Sequence, residues 1–283
     1  MLNYFFSNHY SEKSEIFEKL SIWNSEKYRR LQGAYPVIFI SFADVKQGNY
    51  KDAVQKVKKI IADVYRQYRY LMDYPDFTEA DRRKLSDMTD RIDDVTAQDS
   101  IKDLSYFLSE YYKKKVIILL DEYDTPMQEA YIHGYWDEFV NFMNSTFKTN
   151  PYMERAIMTG ITRVSKESVF SDLNNLVVVT TTSEQYADCF GFTEKEVFES
   201  IEKYGMSDKK AVVKQWYDGF TFGSLKDIYN PWSITNFLKE KKLKPYWAAT
   251  SSNALISRLI QGSSAEIKSL MESLVNGKSI EVN

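Results

Sequence analysis

Cysteine is nearly absent: Cys189 stands alone among 283 residues. One thiol closes no disulfide within the chain and builds no cysteine-based zinc site, which fits a reducing, cytoplasmic setting. Histidine is almost as scarce, with His9 and His133 the two in the chain, so a histidine-rich metal centre is not expected. No run of about 18 apolar residues occurs, and no membrane span or membrane partner is expected. The opening MLNYFFSNHYSEKSE lacks the basic stretch and apolar block of a secretory signal. A surplus of positive charge is missing too. With 37 Lys and Arg against 40 Asp and Glu, the net charge of −3 sets up no overall basic field for nucleic acid.

What is present is the composition of a soluble globular protein, 43% hydrophobic and 27% charged. The length allows one large domain, or one domain with a smaller companion. The 21 Tyr and 17 Phe are read as core and half-buried helix surface. Short apolar runs predict strands at 35–42, 116–120, 155–159 and 176–180. Helical spacing predicts helices at 15–22, at 50–71 and over 78–112 with a break near 94–98. Further helices are expected at 136–147, 193–203, 208–217, 233–238 and 253–274. Strands alternating with helices predict a mostly parallel sheet covered on both faces. From about residue 193 the strands are expected to stop. The chain then divides into an α/β domain over 1–190 and a small helical or winged-helix-like domain over 191–283.

The stretch KKKVIILLDEYDTPM drives five apolar residues into Asp121, Glu122 and Asp124. Ligands of an open parallel sheet collect at the carboxyl ends of its strands. A carboxylate there suits Mg2+, which binds few carboxylates and keeps much of its water. A second acid beside it can polarise an attacking water. The alternative is a strand that simply ends in a solvated acidic turn. ERAIMTGITRV repeats the pattern, another apolar run ending in polar residues, with Arg163 four residues after Thr159. On a neighbouring strand these would bring a hydroxyl and a guanidinium towards a γ-phosphate. Otherwise Thr159 caps a strand and Arg163 makes a surface salt bridge.

VIILLDEYDTPM, MTGITRVSKESVFSDLNNL, FGFTEKEV, WYDGFTFG and YNPWSITNFL, in that order, resemble the bacterial AAA-ATPase-like proteins. These are P-loop ATPases related to the STAND-type archaeal ATPases, often fused to a PD-(D/E)XK nuclease-like domain. The resemblance runs from Met1 to about Ser279. It implies ATP and Mg2+ as cofactors. It matches Asp121 and Glu122 to the Walker B pair, with Asp121 at the metal. It matches Thr159 and Arg163 to a sensor-like strand end and places Asp124 in the DEYD signature, a candidate at the cofactor. Asp218, Gly219, Asn230 and Pro231 fall in the C-terminal helical module, where Asn230 as cap and Pro231 in the first turn suit a helix start.

One part of the family pattern is missing. Members place a Gly- and Lys-containing P-loop just before a helix ending in a sequence like MLNYFF, and no G-x-x-x-x-G-K-[ST] occurs in the 283 residues. Gly277-Lys278-Ser279 is a decoy, with Glu272 where the first glycine belongs. The P-loop supplies the N–H groups and lysine that cradle the β- and γ-phosphates. The chain alone is therefore expected to hydrolyse ATP weakly or not at all. The resemblance also implies a sheet of P-loop ATPase type lacking its first strand, which would leave apolar strand edges open to self-association. A fragment of a longer protein, an early-truncated product or a fold that has closed the gap would each account for this.

A second reading makes the chain a non-enzymatic module that binds DNA or a protein partner through its C-terminal domain. Lys239, Lys241, Lys242 and Lys244 motivate it, against the simpler view of a solvated helix end. A nuclease reading finds no spaced Asp…Glu-x-Lys set. Glu194, Lys195 and Glu196 open a helix instead. Cys189 is read as a packing residue, and Trp216, Tyr217, Trp232 and Trp247 as core.

Overall fold

The computed structural model describes residues 1–147, 150–161, 176–247 and 260–278. The chain forms two compact units, Met1–Asn175 and Leu176–Asn283. The first is an α/β unit. Its sheet contains β1 (Val37–Ser41), β2 (Val116–Asp121) and β3 (Met153–Met158), all parallel, in the order β1-β2-β3. β2 lies in the middle, and Val116 to Leu120 are each at most 5% exposed. A central parallel strand meets packed layers on both faces, which is why VIILL carries no polar residue. On one face Ile117 and Leu119 pack with Val37, and Phe6, Tyr35 and Ile157 close around them.

Two short helices, α1 (Leu2–Phe6) and α2 (Glu26–Arg29), precede β1. Two longer ones cover the sheet: α3 (Tyr50–Gln67) packs on β1, and α5 (Asp94–Tyr112) packs on β2. The Asn49 side chain caps α3 by accepting the Asp52 N–H. Its buried stripe includes Val54, Val57, Ile61 and Tyr65, spaced to keep one face on the core. Lys58 is buried with them and meets Asp94 at 2.7 Å, so its charge is not stranded. Between them α4 (Glu79–Asp87) begins with a reciprocal capping box of Thr78 and Asp81. The interruption of the long helix thus falls at 88–93, ahead of the expected site near 94–98. Asp93 caps α5 by accepting the Thr96 N–H, so 94–98 is the first turn of a helix rather than a break. After β2 come α6 (Thr125–His133) and α7 (Trp136–Phe147). The helix expected at 15–22 is a pair of 3₁₀ turns, Ser14–Ile16 and Ser21–Asn24.

The second unit holds a three-stranded antiparallel sheet in the order β4-β6-β5: β4 (Phe192–Thr193), β5 (Asp218–Phe222) and β6 (Leu225–Tyr229). Strands therefore do not stop near residue 193. The turn-rich DGFTFGSLKDIY is a hairpin, with Phe222 paired to Leu225 across Gly223-Ser224. Gly223 takes φ +55°, the left-handed backbone that so tight a loop needs. α8 (Glu194–Lys203) and α9 (Lys210–Tyr217) lie between β4 and β5 in the chain, and α10 (Pro231–Glu240) follows β6. Asn230 caps α10 through the Ser233 N–H at 3.0 Å, with Pro231 in the first turn. Val197, Ile201, Val213, Tyr229, Ile234 and Phe237 form the buried core of this unit. Within the range 253–274, the described helix is α11 (Ala265–Val275), and 253–259 lie outside the described residues.

The strand expected at 176–180 is not one. Among the described residues they have no sheet partner, and Val177 is 70% exposed. A β-branched run favours extended backbone, but a strand exists only where a neighbour accepts its hydrogen bonds.

Candidate functional site

The carboxyl ends of β1 and β2, and the first residues after β3, meet at one rim of the parallel sheet. Register sets Ser41 beside Asp121 and Leu120 beside Met158. The next residue after β3 is Thr159, and it ties the rim together. Its N–H donates to the Leu120 carbonyl at 2.9 Å, and its carbonyl accepts the Tyr123 N–H at 3.1 Å. Its hydroxyl donates to Asp121 Oδ1 at 2.8 Å. The carboxylate after the apolar run and the hydroxyl thirty-eight residues on are thus brought into direct contact at the tip of two adjacent parallel strands.

Asp121 is half-buried, which keeps a carboxylate oxygen within reach of water while its chain stays fixed in the sheet. Glu122 is also half-buried and takes φ +51°. A glutamate in left-handed backbone costs about 1–2 kcal/mol, so the surrounding structure must hold it there. That turn redirects the chain from β2 into α6. Glu122 Oε2 accepts the Thr125 hydroxyl at 3.1 Å, which leans its side chain over the first turn of the helix, where negative charge is favoured. Asp124 is 1% exposed and accepts two bonds at one oxygen, from the Ile161 N–H at 3.0 Å and from Gln128 Nε2 at 2.9 Å.

Arg163 lies outside the described residues. Residues that the sequence reading passed over are Ser41, Gly160 and the Ile161 amide. A strand ending VIFIS hinted at the serine, since the rim is built from strand ends. A Cβ on Gly160 would stand 2.8 Å from Asp124 Cγ and 3.0 Å from Tyr123 Cε1, so only glycine lets the loop lie against Asp124. A cavity of about 290 Å³ lined by Lys59, Arg66, Arg69 and Asp90, among others, shares no residue with the rim.

These oxygens form an open, hard-donor edge. Among the described residues no group of three or more His, Cys, Asp or Glu could hold a metal ion. That donor set does not suit zinc, whose sites recruit three or four protein ligands, or Ca2+, which takes about six to eight oxygens. It fits Mg2+, held by one carboxylate and otherwise by water. Among the described residues the rim presents the Asp121 and Thr159 oxygens, which fit a metal, and the sequence holds no G-x-x-x-x-G-K-[ST] motif.

Residues 1–170, well over half of the chain, match the family described as "Predicted AAA-ATPase". The chain belongs to the AAA-ATPase-like family. The AAA-ATPase-like match ends among residues 162–175, which lie outside the described residues. A curated relative, an "Uncharacterized protein in vnfD 5'region" of Azotobacter chroococcum mcd 1, is 25% identical over 152 residues. The match covers 52% of this AAA-ATPase-like chain and 29% of that protein, so the chain spans under a third of its relative's length. No solved structure matches. Among the described residues, no helix is long and apolar enough to cross a membrane.

Proposed function

We infer that the first unit is the metal-handling rim of an ATPase module. Asp121 would be the Walker B acid that holds Mg2+, Glu122 its partner for orienting an attacking water, and Thr159 the sensor hydroxyl. The observation that carries this reading is the 2.8 Å bond from Thr159 to Asp121 at the carboxyl rim of adjacent parallel strands. The β1-β2-β3 order suits a P-loop ATPase sheet without its phosphate-loop strand. Nucleotide and Mg2+ dependence are general to the family, and Mg2+ bound here would screen phosphate charge and polarise a phosphoryl oxygen. The protein's own groups orient: Thr159 fixes one Asp121 oxygen, and the Asp121 carboxylate would hold the metal. Glu122, held over α6 by Thr125, needs a rotamer change to face the rim. ATP turnover by this chain alone is weak or absent, because its sequence carries no G-x-x-x-x-G-K-[ST] loop to cradle the β- and γ-phosphates.

The test compares this chain with one extended at its N-terminus by a family P-loop segment. ATP turnover is expected in the extended protein and lost in its Asp121→Asn and Glu122→Gln variants. An extended protein that ignores ATP, or variants that hydrolyse it unchanged, would refute the assignment.

A second reading, an interaction module in the second unit, draws on its β4-α8-α9-β5-β6 order, which suits a winged helix. The ion pairs favour a protein partner over DNA. Lys214 on α9 is held by Glu194 and Asp227, and Lys210 by Glu202, so the α9 cations are neutralised within the unit. Lys244 is likewise paired with Glu240, while among the described residues Lys239, Lys241 and Lys242 make no ion pair and remain the part of the unit a DNA backbone could use. Retention on DNA at low salt, falling steeply as salt rises, would reverse that preference. The outer edge of β3, where Glu154, Arg155 and Ala156 are exposed, is the place for the self-association proposed from the sequence.

A further inference from the structure

The second acid of D-E-Y-D poses its own question: what does a carboxylate that is 1% exposed do three residues beyond the rim aspartate? It presents almost no surface to a ligand from solvent. It stands at the N-cap position of α6, yet its side chain makes no capping bond to that helix. It reaches instead across to the segment after β3 and takes the Ile161 N–H. Gln128, one turn into α6, braces the same oxygen, and the other oxygen fills the space that a side chain at Gly160 would need.

This bond lies where the sheet can no longer supply one. The ladder between β2 and β3 ends with the backbone bonds of Thr159 to Leu120 and Tyr123. Beyond Tyr123 the β2 chain turns into α6, so its backbone stops running alongside the other segment. Asp124 continues the seam with a side chain. Thr159 is therefore gripped from both directions, by the ladder before it and by the Asp124–Ile161 tie after it. We propose that Asp124 is a positioning residue, which locks the Thr159–Gly160–Ile161 turn so that the Thr159 hydroxyl and the Asp121 carboxylate form one preset pair. The inference rests on the metal-rim reading and deepens it: Asp124 acts on the metal through Thr159, without touching it.

Two readouts on the intact chain test it. The first needs no metal. Amide hydrogen exchange at Thr159 and Ile161 is expected to quicken about 10-fold or more in Asp124→Ala, with Ile118 in β2 unchanged, because the Ile161 N–H loses its charge-assisted acceptor while the β2 ladder keeps its backbone bonds. Asp124→Asn, which keeps an oxygen acceptor and the side-chain shape, is expected to fall between, and it decides the matter if the alanine variant does not fold. Unchanged exchange in a folded variant overturns the lock. The second readout titrates Mn2+ alone and follows its paramagnetic broadening of the Thr159 amide. Asp121→Asn should abolish the effect. Asp124→Asn and Thr159→Val should each weaken it several-fold, and the double variant should be no weaker than either single one. Faster exchange with unchanged Mn2+ affinity, or fully additive losses, overturns the positioning role. A wild-type protein indifferent to Mn2+ overturns the metal-rim reading and the positioning role with it, while the exchange data still decide the lock.

Discussion

Replacing Gly160 with alanine adds one carbon, and the structure says where it goes. The new Cβ would press on the Asp124 carboxylate, 2.8 Å from its Cγ, with Tyr123 Cε1 at 3.0 Å on the other side. Asp124 has little room to withdraw, since it is buried and bonded to Ile161 and Gln128. Overpacking of this kind costs about 1–3 kcal/mol. Alanine's smaller unfolded-state entropy returns about 0.4–1 kcal/mol, because Gly160 does not use left-handed backbone. The net loss is then roughly 1–2 kcal/mol, or a Tm lower by about 2–8 °C for a unit of this size. The assay is urea unfolding of four proteins: wild type, Gly160→Ala, Asp124→Ala and the double variant. Asp124→Ala removes the obstructing carboxylate, so in that background the glycine substitution should cost under about 0.5 kcal/mol. An equal penalty in both backgrounds would refute the reasoning, and would mean that a contact other than Asp124, such as the one with Tyr123, sets the cost.

Other expectations concern the second unit. Gly223→Ala should lower its stability by about 1–2 kcal/mol through the left-handed φ alone, and by more through the Cβ placed 2.9 Å from the Ser183 carbonyl, as urea unfolding would measure. Asp218 is held above its ordinary pKa of 3.8, first by desolvation and then by the neighbouring Asp227. The folded state therefore binds that proton more tightly than the unfolded one, and the group's penalty grows as pH rises through its raised pKa. Asp218→Asn should accordingly raise the unfolding midpoint at pH 7, with the gain shrinking towards pH 4. Lys214→Met should lower Tm at pH 7, since Glu194, Asp218 and Asp227 would face one another without the cation they share. A melting temperature that does not change would show that water screens the cluster.

Patterning carried the parallel sheet and little of how the chain pairs. VIILLD could be read as a buried strand because a central parallel strand has no solvent face, and the structure extends it through Asp121. The valines at 177–179 have the same chemistry but no sheet partner among the described residues, and no local pattern distinguishes the two cases. The β5–β6 hairpin was hidden by its Gly, Asp and Ser, which read as loop. The usable signal was narrower: Gly-Ser between Phe222 and Leu225, a two-residue hairpin connection. At the rim, Asp121, Glu122 and Thr159 stood out as polar residues closing apolar runs. The tie from Asp124 to Ile161 spans 37 positions and exists only because β2 and β3 are neighbours. Strand order is a property of the assembled sheet, so single-sequence reasoning had no route to it.

β2 also works as a ruler. Successive residues of a strand point to opposite faces, so one residue inserted between Val116 and Leu120 would rotate everything beyond it by half a turn. The carboxylate now touching Thr159 would leave its place, and Leu120 would take it. The count of residues before Asp121 therefore matters to this edge as well as the identity of the acid, and variants that lengthen or shorten the run by one should lose the site while keeping every residue that builds it.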